Sequence, residues 1–340
     1  MTYRAAIVGA GAPVAKTNSN LEGFSIGYHH ANAYLAHPEV DVVAIADIRL
    51  ENAEALAAHV GGAAVYTDLA DLLAKEKVDI VSIATWPTLH AKMVLAAIEA
   101  SVPMILCEKP LAVSVPEIDL IAKRAEAAGV RVFVNHQRRY DPTFAGARRL
   151  IADGHVGDVL RVEGYVGDGW DVMSWGSHWV DMARYLTGSE VDWVLATTIE
   201  TGNVRYGHLV EDQMLMQLGF ANDTIGLVHT GPHTTGAGFI VVGTRATILL
   251  GSDAPTLMTS DRDPADLHAR YLAPASEETN AFNIAIADII AATAAGAPSL
   301  IDLASGLADM EVLMAAFQSA AEGRVVQITD VNREGTRLPA

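Results

Sequence analysis

Three glycines and one aspartate have the types and spacing to hold a phosphorylated ligand. A β-branched run ending at Val8 leads into Gly9-Ala10-Gly11. Glycines there let the backbone turn tightly against a pyrophosphate, and a helix N-terminus behind them offers free N–H groups. A strict G-x-G-x-x-G needs a glycine where this chain has Val14, and the stretch Lys16-Thr17-Asn18-Ser19-Asn20 is polar and turn-forming. Helical spacing resumes at Gly27, with Ala31, Tyr34 and Leu35 on one face. Residues 12–24 therefore read as a loop inserted in the motif and lying over the pyrophosphate as a lid, so that Gly9 and Gly11 join Ser25-Ile26-Gly27. An acid for the adenosine ribose is expected ~20 residues beyond the glycines, at the end of the second strand. Asp47 stands there, 20 residues after Gly27. Its carboxylate accepts bonds from ribose hydroxyls and repels a 2′-phosphate, which favours NAD over NADP. Arg49 is the neighbour that would accommodate that phosphate, and Gly9-Ala10-Gly11 taken alone also suits an ordinary tight turn.

The elements that position these residues follow from hydrophobic patterning. Up to residue 136, the runs Ala5–Val8, Val42–Ala46, Ile80–Ala84, Met104–Leu106 and Val130–Val134 alternate with helical stretches Leu50–Val60, Leu89–Ala100 and Val115–Ala128. Continuous apolar strands separated by helices predict a parallel sheet covered on both faces, a doubly wound α/β Rossmann domain over residues 1–136. After a linking helix near Phe144–Ala152 the pattern changes. Strand-like runs (Val159–Val166, Val191–Glu200, Gln213–Phe220, Thr224–Thr230, Phe239–Val242, Ala246–Leu250) surround one clear helix, Ser177–Leu186, and helices near 281–295 and 303–322 close the chain. That predicts an α+β domain over 137–340 with a large, mostly antiparallel open sheet.

Composition narrows the function classes. Of 340 residues, 51% are hydrophobic and 19% charged, a globular balance. The net charge of −18 argues against nucleic acid, which needs clustered Lys and Arg. No apolar run approaches the ~20 residues that span a bilayer, and Met-Thr-Tyr-Arg runs straight into a strand, so the expectation is a cytoplasmic protein without a membrane partner. The single cysteine, Cys107, excludes an internal disulfide and a cysteine-based zinc site. His29, His30, His208, His229, His233 and His268 show no ligand spacing with paired carboxylates, and no metal is expected. Gly176-Ser177-His178 lacks the flanking pattern of a nucleophile elbow.

At Glu108-Lys109-Pro110, after the strand ending at Cys107, the chain resembles the glucose–fructose oxidoreductase / inositol dehydrogenase (Gfo/Idh/MocA) family. Further matches are Thr85 with His90, Arg138-Arg139-Tyr140-Asp141-Pro142, Gly176-Ser177-His178 with Asp181, Glu211-Asp212 and Val242-Gly243-Thr244, so the resemblance covers nearly the whole chain. It implies an NAD-dependent dehydrogenase of a sugar, cyclitol or similar polyol. In that reading Lys109 lies beside the nicotinamide and the reacting carbon, where desolvation and the ring's charge lower its pKa. Thr85, Trp86, His90, Glu108, Lys109 and Gln137 join Gly9, Gly11, Ile26, Gly27, Asp47 and Arg49 around the cofactor. Trp86 either covers the cofactor or merely packs.

His178 is the second implied catalytic group, a histidine able to take the hydroxyl proton. Family members often carry Asp four residues earlier, where this chain has Ser174; Asp171 is the substitute orienting group, or Lys109 is the base. Arg138 either holds a polar substrate group or forms a structural salt bridge. Tyr165, Asp168, Trp170, Asp171, Ser174 and Trp175 complete the substrate candidates, because aromatic faces and polar groups suit polyols. The resemblance also admits an NAD-using lyase or glycosidase acting through transient oxidation, and Ser174 keeps open a redox-inactive NAD-binding sensor. The resemblance further implies that the second sheet keeps one face against its own helices and the other available to a second subunit, and an apolar open face there would favour a homodimer or homotetramer.

Overall fold

The computed structural model describes residues 2–12, 26–167, 169–205, 208–232, 236–251, 254–260, 263–272 and 280–334. These form two compact units, residues 1–137 with Phe282–Gly306, and Arg138–Ala281 with residues 307–340.

The first unit alternates β1 (Tyr3–Val8), α1 (Ile26–Ala36), β2 (Val40–Ala46), α2 (Leu50–His59), β3 (Ala64–Tyr66), α3 (Leu69–Lys75), β4 (Ile80–Ile83), α4 (Pro87–Glu99), β5 (Met104–Cys107), α5 (Val115–Ala128) and β6 (Arg131–Val134). All six strands run parallel in the order β3-β2-β1-β4-β5-β6, the doubly wound order whose direction of growth reverses between β1 and β4. Every residue of β4 and β5 is buried, as expected for strands covered on both faces. Local chemistry sets the helix ends. Asp68 caps α3 by accepting from the Ala70 and Asp71 amides, Pro87 opens α4, and Gly129 at φ 63° closes α5.

The second unit contains α6 (Pro142–Ala152), β7 (Val159–Val166), α7 (Ser177–Thr187), β8 (Val191–Ile199), β9 (Val204–Arg205), β10 (His208–Leu209), β11 (Gln213–Phe220), β12 (Ile225–Thr230), β13 (Ala237–Gly243), β14 (Ala246–Gly251), β15 (Thr256–Thr259) and α8 (Pro264–Tyr271). Then come α9 (Ala281–Ala295), α10 (Leu303–Glu322) and β16 (Val326–Gln327). The main sheet runs β15-β14-β13-β7-β12-β11-β8-β16, and of its neighbouring pairs β7 with β12 is the parallel one. One face buries Val162, Met214, Met216, Val228 and Val194. Helix α7 lies on that face through Gly164, where an added Cβ would sit 2.7 Å from Trp179 Cβ. The indole N–H of Trp179 donates to the Tyr165 carbonyl at 2.8 Å, and its ring meets Phe239. Replacing Gly164 with valine should therefore push α7 off the sheet. The expected loss is about 1–3 kcal/mol, read as a lower urea midpoint with unchanged m.

The two units differ from the contiguous domains 1–136 and 137–340 in two respects: Gln137 falls in the first unit, and the larger difference is at residues 282–306. Phe282–Gly306 belongs with the first unit. The reason lies at β6, an edge strand whose open groups need cover. The Val134 amide donates to the Ile301 carbonyl at 2.9 Å, Phe133 bridges Asp302, and Gly306 packs against Val134 so closely that a Cβ would lie 2.3 Å from its side chain. Phe282 stacks on His29. Among the described residues, no helix is long and apolar enough to cross a membrane.

Candidate active site

In the first unit the candidate residues gather at the carboxyl ends of the parallel strands, the edge where open α/β sheets bind ligands. Gly9 and Gly11 follow β1 with φ of 89° and 68°, a region that favours glycine. A Cβ on Gly9 would lie 2.6 Å from the Ala84 carbonyl, and one on Gly27 would lie 2.6 Å from the Gly9 carbonyl. Helix α1, which begins at Ile26, thus sits directly on the β1 turn. Asp47 accepts from the Gly11 amide at 3.1 Å and from the Arg49 amide at 2.9 Å, while Arg49 itself is exposed. The loop expected over 12–24 lies outside the described residues from 13 onward.

Thr85 abuts Gly9, with its methyl 2.9 Å from the position a Cβ would take there, and Trp86 is 42% exposed at the start of α4. His90 is a correction. It is fully buried, and its two ring nitrogens lie 2.6 Å from the Pro110 carbonyl and 2.9 Å from the Thr85 carbonyl. A ring so enclosed braces two strand-end loops and has no edge left for a ligand. Burial pushes its pKa down, against those two carbonyls.

Glu108, buried after β5, accepts at Oε1 from His30 Nε2 (2.9 Å) and from the Asn135 side-chain amide (2.7 Å). Burial pushes its carboxyl up, but the interaction with His30, then the Asn135 hydrogen bond and the charge of Lys109, outweigh this and hold it below the ordinary carboxylate range. Lys109 is half-buried beside it. Sequence reasoning missed His30, Ser82, Tyr34 and Asn135; the available signal was a set of polar residues in otherwise apolar, buried positions. The buried acceptors Asn135 Oδ1 and Gln137 Oε1 have no hydrogen-bond partner among the described residues.

The glycine cradle, the carboxylate at the end of β2 and these two open acceptors fit a dinucleotide. Gly9, Gly11 and Gly27 would admit its pyrophosphate, Asp47 its adenosine ribose, and Gln137 a carboxamide. Among the described residues no group of three or more metal-ligating side chains gathers.

In the second unit, Arg138 lies over the rings of Trp175 (4.8 Å) and Trp179 (5.0 Å), and Trp175 meets His178 edge-on at 5.8 Å. Burial pulls the Arg138 guanidinium below its ordinary range, and its Nε has no hydrogen-bond partner among the described residues. The salt bridge weighed for Arg138 belongs to its neighbour: Arg139 binds Asp181 through Nε (3.0 Å) and Nη2 (2.7 Å). His178 itself is buried at the start of α7.

Two further expectations are corrected here. Asp171 does not orient His178; it accepts from the Ser174 amide (2.8 Å) and hydroxyl (2.7 Å) and from Arg205 Nη1 (3.2 Å). As the residue capping the turn Val172–Gly176, its carboxylate is committed to that turn. Tyr165 projects from the sheet face opposite α7, since strand alternation sets it against Gly164, and it stacks on His229. Trp170 contacts Trp175 and carries Arg205 over its ring. Asp168 lies outside the described residues.

Comparison with known proteins places this geometry. Residues 21–136 match the Gfo/Idh/MocA oxidoreductase family's NAD-binding Rossmann fold, and residues 161–328 match its C-terminal alpha/beta domain. The chain belongs to the Gfo/Idh/MocA family. Among relatives of this Gfo/Idh/MocA protein, inositol 2-dehydrogenase of Rubrobacter xylanophilus is 30% identical over 65% of this chain and 67% of its own. The scyllo-inositol 2-dehydrogenase (NAD(+)) of Bacillus subtilis is 28% identical over 67% of this chain and 71% of its own. A levoglucosan dehydrogenase solved with NADH shares the fold at a TM-score of 0.81 and 22% identity, covering 96% of this chain and 99% of its own.

Proposed function

We propose that this family member is an NAD-dependent dehydrogenase that oxidises a hydroxyl-bearing carbon of a cyclitol or sugar. The observation that carries the substrate class is the Arg138–Trp175–His178 cluster, an apolar ring face beside a guanidinium and an imidazole. Polyols present C–H faces and hydroxyls to such a surface. The inositol 2-dehydrogenases among the relatives support the same class. Bound NAD supplies the hydride acceptor. Lys109 Nζ orients the reacting hydroxyl, and His178 takes its proton on a ring nitrogen. Arg138 donates to a neighbouring hydroxyl, and Trp175 excludes water from the ring face.

Asp47 favours NAD, because its carboxylate would oppose a 2′-phosphate by about 2–3 kcal/mol, roughly a hundredfold in affinity. A panel of cyclitols and sugars assayed with NAD and NADP, following absorbance of the reduced nicotinamide, tests both assignments. The expected result is turnover of at least one polyol with NAD preferred. No reduction of either cofactor across the panel would sink the substrate class, and equal use of both would sink the role of Asp47. We further propose that copies of the chain associate through the open sheet face, where Leu195, Ile199 and Leu215 are exposed. The net charge of −18 and the single buried cysteine suit work in the cytoplasm.

A further inference from the structure

We propose that His30 is a positioning residue for the dinucleotide: the last link of a one-way hydrogen-bond chain, it holds Glu108 as an ionised acceptor with Oε2 open to a ligand hydroxyl. The inference rests on the NAD-binding reading above. The chain runs through four buried groups on three elements. On α1, Tyr34 and His30 lie four residues apart on the buried face. The Tyr34 hydroxyl meets Ser82 Oγ of β4 at 2.6 Å, Ser82 Oγ meets His30 Nδ1 at 3.0 Å, and His30 Nε2 meets Glu108 Oε1 at 2.9 Å.

Direction follows from counting protons. Tyr34 is fully buried, burial pushes its phenol up, and Ser82 is its hydrogen-bond partner among the described residues. The phenol keeps its proton and must donate it to Ser82, because an unmet buried donor costs about 1–3 kcal/mol. Ser82 then has one proton to give and gives it to His30 Nδ1. His30 is thereby fixed as the tautomer that carries hydrogen on Nε2, aimed at Glu108. Asn135 donates to the same Oε1. Glu108 Oε2 makes no hydrogen bond among the described residues and is not among the sealed, unpaired atoms. It is the one acceptor position of this carboxylate left for a bound molecule. The other titratable groups that feel the Glu108 charge are His29, His90, Cys107 and the adjacent Lys109. His30 is the titratable group that bonds the carboxylate directly.

The test measures NADH binding by fluorescence on the whole protein without substrate, from about pH 5 to 9, a range that spans the ordinary histidine pKa. For His30→Leu the expected result is NADH affinity that weakens at acid pH, the acid limb moving up by about one pH unit or more as Glu108 protonates. His30→Gln, which keeps an N–H donor, should restore much of the wild-type profile. Tyr34→Phe and Ser82→Ala break the chain without touching Glu108, and should shift the limb the same way by less. They carry the test if His30→Leu does not fold. Glu108→Gln should bind weakly with no acid limb. A folded His30→Leu protein, or the Tyr34→Phe and Ser82→Ala pair, with the wild-type profile overturns the inference. Wild-type protein that does not bind NADH overturns it together with the reading beneath it, whereas binding without polyol turnover overturns the substrate class alone.

Discussion

Replacing Lys109 with alanine should lower turnover by about 10²–10⁴-fold while NADH affinity stays within about threefold of wild type. The asymmetry follows from where the side chain stands. Lys109 is half-buried, two residues beyond the carboxyl end of β5. Its backbone is held independently. Glu108 on one side is fixed by His30 and Asn135, and the Pro110 carbonyl on the other by His90. Removing the ammonium therefore leaves the loop and the glycine cradle in place. On the role proposed for Lys109, what is lost is a donor to the reacting hydroxyl. Steady-state kinetics of NAD reduction, paired with NADH fluorescence titration, separates the two effects. Lys109→Arg keeps the charge but not the reach, and should recover little. Retained turnover in Lys109→Ala would remove Lys109 from the reaction.

The second large effect is on stability rather than rate. Glu211 is buried, and burial first, then the charge of Asp171, raises its carboxyl to about 7. Its Oε1 accepts from the Val172 amide, at the start of the turn that leads into α7. In the unfolded chain the same carboxyl titrates near 4.5. The folded state thus binds the proton more tightly, and stability falls as pH rises between these values. Below about 4.5 this contribution is fully present, and it is lost as pH rises through about 7. A shift of this size is worth about 3 kcal/mol at most. The comparison that isolates this group is with Glu211→Gln. That variant should lose the downward slope between pH 5 and 7 that remains in wild type, as read from urea unfolding at a series of pH values. Identical slopes in the two proteins would show that Glu211 stays ionised in the folded state.

Much of the first unit is legible in the sequence because its physics is local. Strands buried on both faces must be apolar at every position, and Ile80–Ala84 and Met104–Leu106 advertise that directly. The glycines and Asp47 follow from spacing because the backbone at Gly9 and Gly27 admits no side chain. β3 and α3 escaped because three and seven residues carry too little periodicity. The return of Phe282–Gly306 to β6 escaped for a different reason. Nothing in the chain near residue 301 says which edge strand it will cover.

The candidate site divides along similar lines. The Glu108-Lys109-Pro110 and Gly176-Ser177-His178 motifs stand out as text, whereas the groups that hold them do not. His90 entered the cofactor candidates through the family resemblance, as the partner of Thr85 in the matched segment, and the two enclosing carbonyls reveal a brace. Asp171 has the right charge to orient His178, but a carboxylate three residues before a free amide is also a cap, and the cap won. Tyr165 was misplaced although the sequence held the correction. Gly164 beside it is a strand glycine, which marks the face where another element comes close, and alternation then sends Tyr165 the other way.

The closing of β6 by residues 301–302 also bears on how the molecule is made. A ribosome delivers the chain from its N-terminus, and the nucleotide-binding unit cannot complete its sheet edge until residues 301–302 have emerged. During synthesis that edge is bare, an open row of amides and carbonyls able to recruit a strand from another nascent chain. A fragment cut after residue 137 would keep the same exposed edge permanently. The practical unit of expression is therefore the chain through Gly306 at least, and the long excursion from Arg138 to Ala281 is an insertion within the first unit rather than an appendage to it.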